Sequence, residues 1–557
     1  MHHKLTPGGG GPQAGEEIPR KPRSKELKRQ KDAYLQVGRY LLDQFSVSAI
    51  RSHATIALVD RDRIQFYHAD RSVILVSSAL SSSESDRTGG LEKFIAIMIA
   101  FGRLTLGDDG ILHNLHGGKL LGGNQKSPTR GVPRGAVRMQ EGNELVFGGD
   151  GKTEPFTLTL GEVIYRERLV LAGRSTKVLH AKSPRWKDVD LVVKISWPGS
   201  GWGMENEFLD KATSEAKGAA KDKWALKHLP RVFYAQDVVF GLDSTHERVA
   251  SLFDEAEIIN EEYKHERRTL RIIIQERLYP LKKLTNVKDI AQVLLDVACG
   301  TYFRFVHWSP DAYVVLVHRW LYERVGILHR DLSLSNIMYR TIKGKVHGVL
   351  TDYDIASWTR SLTGDHIKSL QQRVGTPPFM AIGLLDGSDA LHLYRHDVES
   401  LFYVMVILTT HYEVRGHRKG ETGGMRMRQG ELPFEEWFDE PSYNELALFK
   451  KVFLLKRGCL ELSPTFEDFR GWLMKLRKSF NRGFWANQGQ WEEDMEEPCD
   501  KDTPTPFDDE TLGGHVHYSA LIGPVRHLKG KLKDLVIRYD PQSPPLATST
   551  GAAQACL

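Results

Sequence analysis

The stretch GILHRDLSLSN, residues 326–336, combines a His-Arg-Asp triplet with an asparagine five residues after the aspartate. This is the H-R-D-L-x-x-x-N spacing of a phosphoryl-transfer loop. The carboxylate of Asp331 can accept or orient the proton of an attacking hydroxyl, and the Asn336 side chain can ligate a metal ion. Arg330 suggests regulation by a phosphate on the segment that follows, since a phosphate needs an arginine partner. We therefore predict Asp331, Asn336 and Arg330 as catalytic residues.

A second carboxylate follows downstream. Sixteen residues after Asn336, in the sequence VLTDYD, Asp352 comes just after a short apolar strand. A carboxylate at a strand end can hold the Mg²⁺ that bridges the β- and γ-phosphates of ATP. Each aspartate alone would more commonly be a turn or a helix cap, but the joint order of HRD, asparagine, strand and aspartate argues against that. Asn336 and Asp352 are thus the predicted magnesium ligands.

Upstream residues supply a fourth predicted catalytic residue, Lys194, and the candidates for binding the phosphates. Lys194 ends the β-branched run LVVK, and its ammonium group would neutralise the α- and β-phosphates of ATP. Its expected partner is Glu205, which has apolar residues three and four positions on; Glu207 is the alternative. In the loop AGRSTKV, Gly173 and Ser175 are the candidates for capping a phosphate. This loop has one glycine where G-x-G-x-x-G has three, so taken alone it is a weak motif.

Two further motifs complete the pattern, GTPPFMA from Gly375 and RHDVESLFYV from Arg395. Together with ILHRDLS and DYD they resemble the eukaryotic protein kinases, and more narrowly the fungal-specific protein kinase family. The resemblance covers about residues 35–120 and 155–485, and it is looser in the first of these. It implies an α+β, two-lobed protein kinase-like fold preceded by a small α+β N-terminal domain. Asp397 is expected to accept backbone N–H groups of the catalytic loop, and Thr376 to bond with Asp331.

Composition shifts suggest how the chain is divided. The expected parts are a disordered basic tail (1–33), a small α+β N-terminal domain (34–118), a glycine-rich linker (119–153), a protein kinase-like domain (154–485, with lobes of about 154–284 and 285–485) and an acidic, low-complexity C-terminal tail (486–557). Alternating apolar residues predict strands at 54–59, 63–68 and 73–77, and an apolar run predicts a helix at 91–101.

Four features depart from the family pattern. Ser333 stands where most Ser/Thr kinases have lysine, and Asp354 replaces the glycine of the metal motif. Gly383 stands where an acidic residue normally anchors the end of the activation segment, so we expect a buried ion pair to be lost. Residues 300–317 split what should be one helix before the catalytic loop. We interpret them as an insertion, for which a translated intron is one explanation.

Bulk properties exclude several other classes. The net charge of +5 is small for 557 residues, and it argues against a specific nucleic-acid partner. The four cysteines form no CxxC pair, so neither a zinc site nor a disulfide framework is supported. No apolar run approaches the ~20 residues of a membrane helix. We expect an intracellular protein, cytoplasmic or nuclear or both, without a membrane partner.

These observations predict a protein kinase that uses ATP and Mg²⁺ and transfers the γ-phosphate to serine or threonine hydroxyls of a protein substrate. Two alternatives stay open. One is a pseudokinase or scaffold that binds nucleotide or partners without turnover, which the poor glycine loop, Gly383 and the insertion favour. The other is a small-molecule phosphotransferase, which also uses H-x-D-x-x-x-x-N; Arg330 and the GTPPFMA motif argue against it.

Overall fold

The structure is a computed structural model. It describes residues 24–47, 50–60, 63–81, 90–103, 141–148, 153–167, 171–200, 203–238, 244–255, 266–298, 303–304, 313–314, 317–359, 373–389, 391–416, 423–496, 507–528, 530 and 532. The chain forms two compact units. The first unit consists of Met1–Trp202 and Arg231–Arg277, and the second of Gly203–Pro230 and Leu278–Leu557.

The first unit begins with an N-terminal layer of two helices on a small antiparallel sheet. Its elements are α1 (Ser24–Val47), β1 (His53–Asp60), β2 (Arg63–Asp70), β3 (Ile74–Val76), β4 (Leu80–Ser81) and α2 (Gly90–Arg103). β2 is central and pairs with the other three strands. Val37, Leu41 and Phe45 lie four residues apart on α1, so they share one face of the helix and bury it against the sheet. The predicted strands and helix are confirmed in these positions.

A six-stranded antiparallel sheet forms the rest of the first unit, in the order β5-β6-β7-β8-β10-β9. The strands are β5 (Glu144–Phe147), β6 (Phe156–Arg166), β7 (Lys177–Lys182), β8 (Leu191–Ser196), β9 (Val232–Val238) and β10 (Leu270–Glu276), and α3 (Thr245–Glu255) lies between the last two in sequence. β8 (LVVKIS) and β10 (LRIIIQE) are central and rich in valine and isoleucine, because most positions on both of their faces are buried. This sheet holds Lys194 in the middle of β8.

The second unit is mainly helical. Its helices are α4 (Glu205–Gly218), α5 (Val287–Ala298), α6 (Val317–Trp320), α7 (Ile382–Asp386), α8 (Tyr394–His411), α9 (Tyr443–Leu455), α10 (Arg470–Glu496) and α11 (Tyr518–Ile522). The centre of this unit is α8, which is buried along its whole length. Since an all-round buried helix must satisfy its polar groups internally, the polar residues at its start are drawn into hydrogen bonds rather than into solvent.

Short strands complete the second unit. They are β11 (Tyr279–Pro280), β12 (Phe303–Arg304), β13 (Tyr313–Val314), β14 (Ile327–Leu328), β15 (Ile337–Ile342), β16 (Lys345–Leu350), β17 (Ser357–Trp358), β18 (Tyr412–Arg415) and β19 (Gly424–Met427). β15 and β16 form a hairpin whose turn, Lys343-Gly344, has φ of 49° and 76°. Two positive φ values are typical of the type I′ turn that matches the twist of a two-stranded hairpin.

Three parts of the expected domain division need correction. The tail expected to be disordered through residue 33 is helical from Ser24. Lysine, glutamate and leucine favour helix, so the first residues of α1 extend the helix whose apolar face packs further along the chain. β5 lies inside the expected linker and pairs with β6. The expected C-terminal tail contains the end of α10 and a packed segment, residues 507–528, whose Leu512, Val516 and Leu521 are buried.

Among the residues that the structure describes, no helix combines the length with the apolar character that crossing a bilayer requires. The helical region before the catalytic loop is divided, since α5 ends at Ala298 and α6 begins at Val317. The β12–β13 pair lies between these helices in sequence.

Candidate active site

The catalytic loop is organised around Asp331. The amide of Asn336 donates to the backbone oxygen of Asp331 at 2.9 Å and to its Oδ2 at 3.0 Å. The hydroxyl of Thr376 donates to the other carboxylate oxygen, Oδ1, at 2.7 Å, which confirms the expected bond between these residues. Both Asp331 and Asn336 are largely buried. The carboxylate is therefore fixed in orientation before any substrate arrives, as a general base should be.

Asp397, at the start of α8, holds the backbone of this loop. Its carboxylate accepts the backbone N–H of His329 at 3.1 Å and that of Arg330 at 3.1 Å, as expected. It also accepts ring N–H groups from His318 at 2.9 Å and His392 at 3.1 Å. Burial alone would raise the pKa of Asp397, but the bonds from His318 and His392 hold it well below its ordinary value. A buried anion thus fixes the loop at the two residues before Asp331.

Arg330 has a left-handed backbone, with φ of 71°. A non-glycine residue takes this conformation at a cost, so the surrounding bonds must over-determine it. The side chain is buried, and burial, partly offset by the Asp397 charge, lowers its pKa to about 10. Ser333 is also buried, and its hydroxyl lies 2.9 Å from that of Ser335. The position where most Ser/Thr kinases are expected to carry lysine thus has a hydrogen bond within the loop here.

The β15–β16 hairpin brings the two predicted magnesium ligands to one end. Asn336 precedes β15 and Asp352 follows β16, and the register pairs Ile337 with Leu350. Thr351, the residue before Asp352, donates its backbone N–H to the backbone carbonyl oxygen of Asn336 at 2.9 Å. The backbone of Asp352 is left-handed, with φ of 67°. The turn of the hairpin therefore sets how the catalytic loop and the DYD motif meet.

Asp352 belongs to a group of three carboxylates. Oxygen atoms of Glu205, Asp352 and Asp354 lie within 4.8 Å of one another. Glu205 is buried at the start of α4, and its Oε1 accepts the backbone N–H of Tyr353 at 3.2 Å. Oxygen ligands, carboxylates above all, are what Mg²⁺ and Ca²⁺ prefer. The donor set therefore fits a hard divalent cation, with the predicted ligand Asp352 and with Asp354, which replaces the glycine of the family motif, as its neighbour.

Lys194 lies on β8 of the first unit and is 5% exposed. Its neighbours across the sheet are Val178 of β7 and Ile273 of β10. This places the lysine inside a buried strand that follows β6 and β7 in the chain. The pairing of Lys194 with Glu205 stays a prediction.

The loop with Gly173 and Ser175 is engaged by the N-terminal layer. Arg71, which follows β2, accepts the backbone N–H of Gly173 with its own carbonyl at 3.0 Å. Its guanidinium donates to the Ser175 hydroxyl at 3.0 Å and stacks between the rings of Phe45 and Trp197, 4.2 and 5.3 Å from their centroids. Ser175 has φ of 47°. The loop expected to cap a phosphate through its glycine N–H therefore gives that group to Arg71.

Gly383 does not cost the fold an ion pair, and the expected loss was wrong. A Cβ on Gly383 would lie 1.5 Å from Oδ2 of Asp389, so glycine leaves room for that carboxylate. Asp389 accepts from Arg395 at 2.6 Å and from the ring of His396 at 3.0 Å. The acidic group comes from six residues further along the chain, while an ionic anchor at the end of this segment is retained through the buried Arg395 and His396.

Sequence reasoning missed several groups that surround the site. His318, His392 and Arg71 carry no motif, and their partners lie up to 200 residues away in sequence. Only Asp354 had a local signal, since a second aspartate two residues after a metal-binding one is an unusual replacement for glycine.

Comparisons with known proteins agree with this geometry. The family described as Fungal protein kinase matches residues 18–246 and 312–409, more than half of the chain. The match leaves out 247–311, which includes most of the suspected insertion. The serine/threonine-protein kinase csk1 of Schizosaccharomyces pombe is 33% identical over 85 residues, which are 15% of this chain and 26% of that protein. On the family match, the chain belongs to the fungal protein kinase family.

Proposed function

We propose that this chain is an active protein kinase that transfers the γ-phosphate of ATP to serine or threonine hydroxyls of a protein substrate. The observation that carries the proposal is the fixed Asp331 carboxylate. It is held on one side by Asn336, on the other by Thr376, and from behind by the bonds of Asp397 to the two preceding residues. Such pre-organisation is what a base for an incoming hydroxyl requires.

Magnesium use rests on the carboxylates. Asp352, with Glu205 and Asp354 nearby, offers an all-oxygen donor set, and the Asn336 side chain adds an amide oxygen. When bound, Mg²⁺ would offset the phosphate charge that develops during transfer. Lys194, buried on β8, is proposed to bind phosphate oxygens. The chain's own contribution to the chemistry is to orient the hydroxyl at Asp331 and to exclude water from this buried loop.

The preference for serine and threonine rests on Thr376. Its hydroxyl bonds directly to Asp331 at 2.7 Å, so the space beside the base is already occupied by a small side chain. The name of the csk1 relative agrees with this preference, but its match is confined to 85 residues.

The alternative, a pseudokinase, is favoured by one observation. Gly173 donates its backbone N–H to Arg71, so this N–H is not offered to a phosphate. The two proposals differ in whether phosphate leaves ATP. The purified full chain should be incubated with Mg²⁺, radiolabelled ATP and a mixture of protein substrates, with Asp331→Ala as the comparison, and the labelled amino acids identified after hydrolysis.

We expect phosphoserine and phosphothreonine with the wild type and neither with Asp331→Ala. Equal labelling by both proteins would rule out the proposal that this chain is an active kinase. Labelled phosphotyrosine would rule out specificity for serine and threonine. ATP binding without labelling by the wild type would favour the pseudokinase.

A further inference from the structure

The C-terminal segment, residues 507–528, packs on the helices of the second unit. The indole N–H of Trp472 on α10 donates to the Leu521 carbonyl at 2.8 Å, and the Ser479 hydroxyl donates to the His515 carbonyl at 2.8 Å. The Tyr518 ring stacks on that of Tyr394 with centroids 5.3 Å apart. The segment lies beyond residue 409, where the family match ends. It is therefore a part of the fold that the family resemblance does not explain.

One side chain of this segment reaches toward the catalytic loop. The hydroxyl of Tyr518 lies 2.8 Å from Nδ1 of His318, and both residues are buried. The other ring nitrogen of His318, Nε2, lies 2.9 Å from Oδ2 of Asp397. Asp397 in turn accepts the backbone N–H groups of the two residues before Asp331. A continuous series of hydrogen bonds thus joins residue 518 to the catalytic loop.

The direction of each bond follows from the chemistry of the groups. Asp397 is an acceptor only, since its carboxylate is ionised, so Nε2 of His318 carries a proton and donates it. In the neutral ring, Nδ1 is then an acceptor, and the Tyr518 hydroxyl is its donor. Burial raises the pKa of this hydroxyl well above its ordinary value, so it keeps its proton. The hydroxyl fixes the tautomer and the ring orientation that Asp397 needs.

We propose that Tyr518 is a positioning residue for the kinase reaction: through His318 and Asp397 it holds the backbone that aims Asp331. This inference rests on the proposed function for its catalytic readout. It also gives a role to His318, which lies at the start of α6, just after the suspected insertion. The C-terminal segment then supports the loop from the side where the insertion interrupts the helix.

The test is Tyr518→Phe, which removes the hydroxyl and keeps the ring stacked on Tyr394. The matched control is Tyr322→Phe, because the Tyr322 hydroxyl donates to Glu510 of the same segment at 2.6 Å and is not part of the series that leads to Asp397. Kinetics should be measured in the full chain with ATP, Mg²⁺ and protein substrate. Since a misplacement of about 1 Å can cost up to about 100-fold in rate, we expect kcat to fall about tenfold in Tyr518→Phe.

The Michaelis constant for ATP should stay within about twofold of the wild type, and Tyr322→Phe should leave both constants within about twofold. A folded Tyr518→Phe protein with wild-type kcat would overturn the proposal, and so would an equal loss in both variants. A rise in the Michaelis constant alone, without a fall in kcat, would also overturn it, because the series of bonds ends at the base.

Hydrogen exchange gives a readout that needs neither catalysis nor a substitution. In the wild type, at increasing denaturant, the backbone amides of His329 and Arg330 should open together with those of α11, as one cooperative unit. Loss of protection in α11 while the loop amides stay protected would overturn the inference, even if Tyr518→Phe fails to fold. Absence of phosphate transfer by the wild type would instead count against the proposed function, so the two failures are distinguishable.

Discussion

Replacing Asp397 with asparagine should cost the second unit about 3 kcal/mol of unfolding free energy. The carboxylate is fully buried and accepts two backbone N–H groups and two imidazole N–H groups. An amide is neutral and has one oxygen, so its NH2 must face at least one of these donors. Hydrogen bonds to a charged group contribute about 1.5–3 kcal/mol and neutral ones about 0.5–1.5 kcal/mol, so weakening several of them at once gives a loss of this size.

The assay is urea unfolding followed by tryptophan fluorescence. Asp439→Asn, at an exposed position of the same unit, is the control and should change the free energy of unfolding by less than about 0.5 kcal/mol. Kinase activity should fall together with stability, because the same bonds aim Asp331. A loss below about 1 kcal/mol in Asp397→Asn, with an unchanged urea slope, would refute the claim that this carboxylate anchors the loop.

Four further outcomes are expected. Gly383→Ala should destabilise the chain by more than about 2 kcal/mol in urea unfolding, while Gly489→Ala, in a helix with open space, should be neutral or stabilising by up to about 1 kcal/mol. Burial lowers the pKa of His396 from 6.5 to about 3. The stabilisation that the neutral ring contributes is therefore complete above pH 6.5 and is lost as the pH falls toward 3. In His396→Gln, the free energy of unfolding should decrease less steeply over this pH range, because about one proton fewer is taken up on unfolding. Arg71→Ala removes the bond to Ser175 in the candidate phosphate loop and should raise the Michaelis constant for ATP about tenfold. Unchanged kinetics would show that the N-terminal layer plays no part in nucleotide binding. Chelation with EDTA should abolish phosphate transfer, and added Mg²⁺ should restore it.

The local motifs of the site could be predicted because each has its own chemistry at a fixed spacing. Asp331 and Asn336 bond within one loop, and a tight hairpin returns the residue before Asp352 to Asn336; sequence can indicate both connections. The bonds of Asp397 and Thr376 to the loop also followed from the motifs that contain them.

The supports of the site could not be predicted, because they depend on tertiary contacts. Arg71 meets Ser175 across 104 residues, and Tyr518 meets His318 across 200. Neither pair has a spacing that a pattern could reveal. The outcome at Gly383 has the same cause: sequence shows an acidic residue missing, and only packing shows Asp389 in the space that the glycine leaves.

The most direct test of the catalytic account is the ratio of kcat for wild type and Asp331→Asn at saturating ATP and Mg²⁺. Asparagine keeps the size of the side chain, and it can still bond both neighbours if its oxygen accepts from Asn336 and its NH2 donates to the Thr376 hydroxyl, but it cannot accept the proton of a hydroxyl. We expect kcat to fall about a thousandfold, with ATP affinity unchanged within about threefold. A variant that transfers phosphate at more than about a tenth of the wild-type rate would contradict it.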